Sequence, residues 1–151
     1  MGLDMYLNKH TYVQQWEHQK PEEKYNVEVT KGGEPTNINP KKIKYIVEEA
    51  GYWRKANQIH QWFVENVQKG VDDCGNYYVS TDDLEKLLEL CVAVKLNHEQ
   101  ADTLLPSASG FFFGGTEYDE WYFNGIDNTI DILKEALADE SDSSYYYSSS
   151  W

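Results

Sequence analysis

Three side chains between residues 53 and 60 have the chemistry and the spacing of a binding site. Trp53, Asn57 and His60 lie at i, i+4 and i+7 in a stretch whose apolar stripe predicts a helix, so they would share one ridge. An indole, a carboxamide and an imidazole suit a planar heterocycle, because the indole can stack on the ring and the polar groups can bond its edge. Arg54, with Lys55 beside it, could meet a phosphate or a carboxylate. The alternative is that Trp53 and His60 are core residues, that Asn57 braces a loop and that Arg54 pairs with a nearby glutamate.

The second candidate stretch is the aromatic segment 110–123, which reads Gly-Phe-Phe-Phe-Gly-Gly-Thr-Glu-Tyr-Asp-Glu-Trp-Tyr-Phe. Three consecutive phenylalanines cannot all face one core in an extended segment, because side chains in a strand alternate sides. Burying one such ring is worth about 1.5–3 kcal/mol, so we expect at least one to face a second layer, a partner or a ligand. The candidate ligand-binding residues here are the aromatic and acidic side chains Phe111, Phe112, Phe113, Glu117, Tyr118, Asp119, Trp121 and Tyr122.

The acidic residues of this segment also allow a catalytic interpretation. Glu117 and Asp119 could divide the roles of acid and base if their surroundings differed. A simpler role is favoured, because Thr116 is a good N-cap and carboxylates in the first turn of a helix stabilise its positive end.

No cofactor and no metal site is predicted. Asp72, Asp73 and Cys74 could be combined with His60, but they have no recognised ligand spacing and are typical of a polar turn. The two cysteines, Cys74 and Cys91, are too few and too far apart for a disulfide scaffold or a zinc knuckle, so both are predicted to be reduced thiols, with Cys91 a small core residue in a helix. The sequence contains no phosphate-binding loop, dinucleotide fingerprint or nucleophile elbow, which disfavours an ordinary enzyme.

The elements that would position these side chains follow an α+β pattern. Period-two alternation predicts strands at 3–8, 25–30 and 75–80. The segment 41–50 fits a strand or a helix, and we prefer a strand that breaks near Gly51. Helical spacing predicts helices over 52–68, over 80–94 behind a Ser80–Asp83 capping box, over 98–105, and from the N-cap Thr116 to Leu137 with a break at Gly125. The expected fold is a single α+β domain, with a small, mainly antiparallel sheet packed against about three main helices.

The composition changes after residue 138. Residues 139–151 contain only acidic, serine and aromatic side chains and show no amphipathic period. Chain ends of this kind are commonly mobile. We therefore expect a domain at 1–138 and a mobile tail at 139–151, whose four rings could still dock on a neighbouring surface.

The 151-residue chain has 13 basic and 26 acidic side chains, which give a formal net charge of −13. Such a field repels phosphates, so direct binding to nucleic acids or to anionic membranes is not expected. Two explanations fit the charge: solubility at high concentration, or mimicry of a polyanion. The chain has no window of about 18 apolar residues, and its N-terminus lacks the pattern of a signal peptide, so a cytoplasmic protein is predicted.

Several strings of the sequence are unusual enough to compare with a family. They are Gly2-Leu-Asp-Met-Tyr-Leu7, Tyr52-Trp-Arg-Lys-Ala-Asn57 with Ile59-His60 and Trp62-Phe63, Val71-Asp-Asp-Cys74, and the aromatic segment 110–123. In these strings, which extend in order over most of residues 1–138, the chain resembles a family of small uncharacterised proteins encoded by bacteriophages and prophages. The resemblance implies a viral accessory protein in the bacterial host cell. That class often antagonises bacterial immunity, by inhibiting a defence protein or by sequestering a nucleotide signal.

The leading hypothesis is a phage-encoded, non-enzymatic protein that sequesters a small nucleotide-derived signalling molecule in an aromatic pocket between Tyr52–Phe63 and Phe111–Tyr122. The expected roles are stacking by Trp53 and Phe112, bonding of the ring edge by Asn57, His60 and Asp119, and a phosphate contact by Arg54. The alternatives are an acidic inhibitor of a host defence protein, which could mimic DNA, and a small enzyme with Glu117 or Asp119 as its base. The surplus of aromatic residues is also compatible with a homo-oligomer.

Overall fold

The structure, a computed structural model, describes residues 2–151 and contains a four-stranded sheet, a short hairpin and four α-helices. The sheet consists of β1 (Asp4–Tyr12), β4 (Tyr45–Arg54), β5 (Asn76–Val79) and β6 (Ser144–Ser150), and the hairpin of β2 (Thr30–Lys31) and β3 (Glu34–Pro35). The helices are α1 (Asn57–Asn66), α2 (Thr81–Leu96), α3 (Ala101–Leu104) and α4 (Glu120–Ala138). The sheet is antiparallel with strand order β4-β1-β6-β5. The predicted α+β class is confirmed.

The helices cover one face of the sheet, and the core lies between the two layers. Leu3, Met5 and Leu7 are fully buried on that face, as their alternation predicts. Burial of one such side chain stabilises the fold by about 1.5–3 kcal/mol. The inner face is completed by Trp53, Val79 and Tyr147, and the helices contribute Ile59, Phe63, Leu84, Leu87, Cys91, Ile126, Ile130 and Leu133.

The predicted mobile tail at 139–151 is wrong for residues 144–150, which form β6. This strand lies between β1 and β5 and pairs antiparallel with both, so its backbone groups are satisfied on two sides. Tyr147 is fully buried and stacks on Phe63, with ring centroids 3.9 Å apart. The sequence hides the strand because serines occupy both faces, which removes the contrast of apolar and polar positions. The domain therefore does not end at residue 138.

The predicted helix over 52–68 begins later than expected. Strand β4 continues through Trp53, which pairs with Met5 and is 2% exposed, and α1 begins only at Asn57. Lys55, at φ 56°, adopts the left-handed conformation that turns the chain from the strand into the helix. Trp53 therefore does not share a helical ridge with Asn57 and His60, and that prediction is wrong.

The strand interpretation of 41–50 is confirmed for residues 45–50, but the strand does not break at Gly51. Gly51 pairs with Leu7, and the register shifts just beyond this pair as in a β-bulge. A Cβ atom on Gly51 would lie 2.5 Å from Cγ2 of Ile132. Glycine at this position therefore allows α4 to approach the sheet closely.

The start of α4 also differs from the prediction. The N-cap is Asp119, whose carboxylate accepts a hydrogen bond from the backbone N–H of Tyr122 (3.2 Å), and Thr116 lies outside the helix. Gly125 lies inside α4 and does not break it. The Ser80–Asp83 capping box at the start of α2 is confirmed.

Two further predicted elements are shorter in the structure. Residues 25–29 form no strand, because they pair with no strand among residues 2–151, and only the two-residue β2 follows them. The predicted helix 98–105 consists of a 3-10 turn, His98–Gln100, followed by α3. Over the described residues 2–151, no helix is long and apolar enough to cross a membrane.

Candidate ligand-binding cleft

A cleft of about 540 Å³ opens where β4 ends and α1 begins, a volume within the range of small-molecule sites. One wall is formed by residues 53–58. The other wall is formed by Gly114, Gly115 and the first half of α4. The two segments singled out in the sequence therefore meet, as predicted.

Asn57 holds the two walls together. Its Nδ2 donates to the carbonyl oxygens of Phe113 (3.0 Å) and Gly115 (2.9 Å), and its Oδ1 accepts from the backbone N–H of Ala108 (3.0 Å). The residue is 2% exposed, and each such bond contributes about 0.5–1.5 kcal/mol net. Asn57 is therefore a loop brace, one of the roles left open by the sequence, and its amide is not free to bond a ring edge.

The backbone is constrained on both sides of the cleft. Lys55 is a non-glycine residue with positive φ, a conformation that costs about 1–3 kcal/mol and is often found at ligand sites. Gly114 faces it at φ 84°, and a Cβ there would lie 3.1 Å from Cβ of Lys55. Leu3 connects the first wall to the loop that precedes the second, because its carbonyl accepts from Lys55 N–H (2.7 Å) and its N–H donates to the carbonyl of Phe112 (2.9 Å).

The cleft is lined by positively and negatively charged side chains and by one exposed aromatic ring. The Trp121 indole is 83% exposed and lines the cleft together with Arg54, Lys55 and Glu117. Arg54 lies at the rim of the cleft, at the end of β4, and its guanidinium is 3.8 Å from Asp4, its partner across the strand pair and its only ion-pair partner among residues 2–151.

The N-terminus of α1 opens into the same cleft. Its N-cap, Ala56, has no side chain that could accept from the first-turn N–H groups, and Ala56, Asn57 and Gln58 all line the cleft. The partial positive charge of the helix end adds to that of Arg54 and Lys55.

Trp53 forms part of the cleft floor and cannot stack on a ligand. It is 2% exposed, and its Nε1–H donates to Oγ1 of Thr129 (2.8 Å), whose hydroxyl in turn donates to the carbonyl of Gly125 (2.6 Å). Its predicted stacking role is therefore wrong.

His60 lies in the core, away from the cleft lining. Its Nε2 is 2.9 Å from Oδ1 of Asp72, and its Nδ1 is 2.6 Å from the hydroxyl of Tyr147. Burial lowers the pKa of His60 from its ordinary value of 6.5, and the hydrogen bond to Asp72 opposes this shift only partly. The neutral ring therefore donates through Nε2–H to Asp72 and accepts from Tyr147, so its edge is not free for a ligand.

The three phenylalanines face different surroundings, as the alternation argument requires. Phe111 is 95% exposed, Phe112 is half-buried, and Phe113 is buried with its ring edge-on to His60 at 5.2 Å. None of the three lines the cleft, so the predicted stacking by Phe112 is also wrong.

The two tyrosines of the aromatic segment support the loop. Tyr122 is buried and its hydroxyl donates to the carbonyl of Leu105 (2.7 Å). Tyr118 packs against Tyr122 and its hydroxyl accepts from the N–H of Ser107 (3.1 Å).

The structure thus divides the twelve predicted ligand-binding residues into two groups. Seven line the cleft: Trp53, Arg54, Asn57, Glu117, Asp119, Trp121 and Tyr122. Five do not: His60, Phe111, Phe112, Phe113 and Tyr118.

Sequence reasoning missed the polar residues that α4 brings to the cleft. Asn124 and Asn128 follow Trp121 at three and seven positions, so they lie on the same side of the helix. This spacing is visible in the sequence and could have identified them. Gln58, which donates to the carbonyl of Tyr122 (3.1 Å), could not be assigned without the position of α4.

Within residues 2–151 no group of three His, Cys, Asp or Glu side chains could hold a metal ion. No protein-family model, curated protein or solved structure matches the chain. The case for a function therefore depends on the chemistry of the cleft itself.

Proposed function

We propose that the protein is a non-enzymatic binding protein whose cleft holds a small, anionic, heteroaromatic molecule of the nucleotide type. The observation that carries the proposal is the exposed Trp121 ring in one cleft with Arg54, Lys55 and the uncapped end of α1.

The ring of the ligand would stack on Trp121. An indole left 83% exposed forgoes burial worth about 1.5–3 kcal/mol, and stacking of a base on an aromatic side chain contributes about 1–3 kcal/mol. Trp121 therefore takes the role that the sequence suggested for Trp53 and Phe112.

The anionic group would lie between Arg54, Lys55 and the first turn of α1. The chain has only 13 basic residues against 26 acidic ones, so two adjacent cations in one cleft are unusual in it and favour an anionic ligand there. Glu117, in the same cleft, disfavours a highly charged group and can accept a hydrogen bond from an exocyclic amine of a base. The arrangement favours a nucleotide with one phosphate group per nucleoside over a nucleoside triphosphate.

The resemblance to phage-encoded proteins gives this binding a biological use. Sequestration of a nucleotide-derived signal in the cytoplasm of the bacterial host would weaken a defence system that depends on the signal. Sequestration needs affinity and stoichiometric amounts of protein, and no turnover.

A thermal-shift screen against nucleoside monophosphates and cyclic nucleotides tests the proposal. A ligand at about 100 times its Kd stabilises the protein by about 2.7 kcal/mol, which raises the Tm of a domain of this size by about 5–10 °C. The variants Trp121→Ala and Arg54→Gln should lose most of the shift.

Two control variants make the screen specific. Phe111→Ala removes an exposed ring that does not line the cleft, and Lys86→Gln removes an exposed cation on α2; both should keep the full shift. If no nucleotide shifts the Tm of the wild-type protein at millimolar concentration, or if the control variants lose the shift as the cleft variants do, the proposal fails.

A second candidate function, inhibition of a basic host protein, is favoured by the distribution of charge. Residues 81–142, which contain α2, α3 and α4, have fifteen acidic and three basic side chains. Residues 13–44 have five acidic and six basic side chains. The acidity is thus concentrated in the helical layer, which could contact the DNA-binding groove of a defence protein.

The salt dependence of binding distinguishes the two functions. An inhibitor that binds through the helical layer should form a stoichiometric complex that weakens steeply as salt rises, and reversing charges on α2 should abolish it. A complex that is insensitive to salt would argue against polyanion mimicry.

A further inference from the structure

The face of the sheet that points away from the helices carries a continuous row of aromatic rings. Neighbouring centroids are 5.8 Å apart from Tyr78 to Tyr146, 4.4 Å from Tyr146 to His10, 6.1 Å from His10 to Tyr45 and 5.2 Å from Tyr45 to Tyr12. These residues lie on β5, β6, β1 and β4, so the row crosses all four strands. The strand register adds Tyr6 and Tyr52 to the same surface. We call this surface the tyrosine face; its tyrosines are Tyr6, Tyr12, Tyr45, Tyr52, Tyr78 and Tyr146.

The tyrosine face has the composition of a protein-binding surface. Tyr45, Val47 and Tyr78 are each more than half exposed, at 53%, 54% and 59%. Tyrosine provides a large contact area at a low cost in conformational entropy, and serines such as Ser144 and Ser148 between the rings provide adaptable hydrogen bonds. A connected apolar surface of this kind on a folded domain marks an interaction site.

Charge decides which partner fits the tyrosine face. The charged residues that the register places on it are Asp4, Glu49 and Arg54, the last at the edge where the face meets the cleft, so the face is nearly neutral. A single-stranded nucleic acid would stack on such rings, but it also needs a track of cations, and the face offers one. A basic protein would be drawn to the acidic helical layer on the opposite side of the sheet.

We infer that the tyrosine face is the contact surface between two copies of this chain. Two sheets that pack face to face lie about 10 Å apart, which places the acidic helical layers on the far sides, separated by more than the Debye length of about 8–10 Å. The net charge of −13 therefore does not prevent this contact. A two-fold axis through the aromatic row would bring like rings together from both copies.

The face is large enough for such a contact. Four strands spaced about 4.8 Å apart, with an average length near 25 Å, give about 500 Å² in projection from each copy and about 1,000 Å² from both. That total reaches the lower limit of about 1,000 Å² for a specific interface, and the protruding rings add surface area beyond the flat projection.

Sedimentation velocity over about 1 to 500 µM tests the inference with the complete chain. The wild-type mass should rise from 17.6 kDa for one chain towards twice that value. Tyr45→Glu and Tyr78→Glu each place two facing carboxylates in the contact and should weaken the dimer about tenfold or more. The matched control, Leu96→Glu, makes the same kind of change at an 82% exposed position at the end of α2 and should leave the dimer unchanged.

A chain that stays monomeric over the whole range overturns the inference and leaves the tyrosine face to a different protein. A dimer that survives both tyrosine variants, or that Leu96→Glu weakens as much, also overturns it. If circular dichroism shows that the variants misfold, nitration of the wild-type protein decides. Tyr45 and Tyr78 should be protected at high concentration and Tyr118 should not, and equal reactivity at all concentrations would refute the dimer.

Discussion

Strand β6 places the hydroxyl of Tyr147 2.6 Å from Nδ1 of His60, and we predict that removing this hydroxyl destabilises the protein. In the variant Tyr147→Phe the ring remains and can still stack on Phe63, so almost no cavity forms. What is lost is the one hydrogen bond that Nδ1 of the fully buried His60 ring makes within residues 2–151, while the bond from Nε2 to Asp72 remains. An orphaned buried acceptor costs about 1–3 kcal/mol, and we expect this loss in the free energy of unfolding.

Equilibrium unfolding in urea measures the effect, with the slope m as a check that the unfolded state is unchanged. The matched control is Tyr146→Phe, one residue away on the tyrosine face, which should change stability by less than about 0.5 kcal/mol. The variant Tyr147→Ala also removes the ring and should cost about 3–5 kcal/mol.

The result that would refute this reasoning is a Tyr147→Phe protein as stable as the Tyr146→Phe control. Such a result would mean that residues 144–150 do not insert between β1 and β5, and the sequence-based expectation of a mobile tail would then be correct for them. Hydrogen exchange gives an independent check, because the amides of β6 should be protected as strongly as those of β1.

Three further predictions follow from single contacts. Asn57→Ala leaves three backbone groups without their partner, so it should lower the free energy of unfolding by about 2–4 kcal/mol and speed amide exchange in 107–116. Equal exchange in the variant and the wild type would contradict the bracing role. Gly51→Ala should destabilise the protein by about 1–3 kcal/mol, because the new Cβ would meet Ile132. The control Gly115→Ala should be nearly neutral in the same urea assay, because a Cβ there would have no atom within 4 Å. Stability should also fall as the pH drops below 6.5, because the unfolded imidazole of His60 takes up a proton there while burial lowers the pKa of the folded one. Unfolding in urea at several pH values, with the His60 resonance followed by NMR, checks this, and a folded His60 that titrates at or above 6.5 would disprove it.

The elements that were correct from sequence are those whose signal is local. The start of β1 is marked by clean alternation at Leu3, just before the strand, and at Met5 and Leu7 within it, and α2 has both a capping box and an apolar stripe. The strand β6 has no such signal, because its stability comes from pairing with two strands that are distant in the chain. Its serine-rich sequence is tolerated because the neighbours satisfy its backbone on both sides.

Prediction of the candidate site was right about the place and wrong about several roles. The contact between 53–63 and 111–122 was expected from their unusual composition, and Asn57 makes it. The burial of Trp53 depends on its pairing with Met5, which is a long-range fact that spacing along the chain cannot show. Trp121 lies in the first turn of α4, on the side of the helix opposite to the buried Ile126 and Ile130, and which side of α4 would face the core could not be read from the segment alone.

The most direct test of the ligand-binding cleft is a titration of the isotope-labelled protein with adenosine 5′-monophosphate and with a cyclic dinucleotide, followed by two-dimensional NMR. The proposal predicts saturable shifts of the Trp121 indole N–H and of the backbone amides of Lys55, Gly114 and Gly115, which line the cleft. The indole of Trp53, bonded to Thr129 in the floor, should move little. Spectra that stay unchanged with both ligands at about 5 mM, a concentration that detects even millimolar affinity, would contradict the proposal, and so would shifts confined to residues outside the cleft.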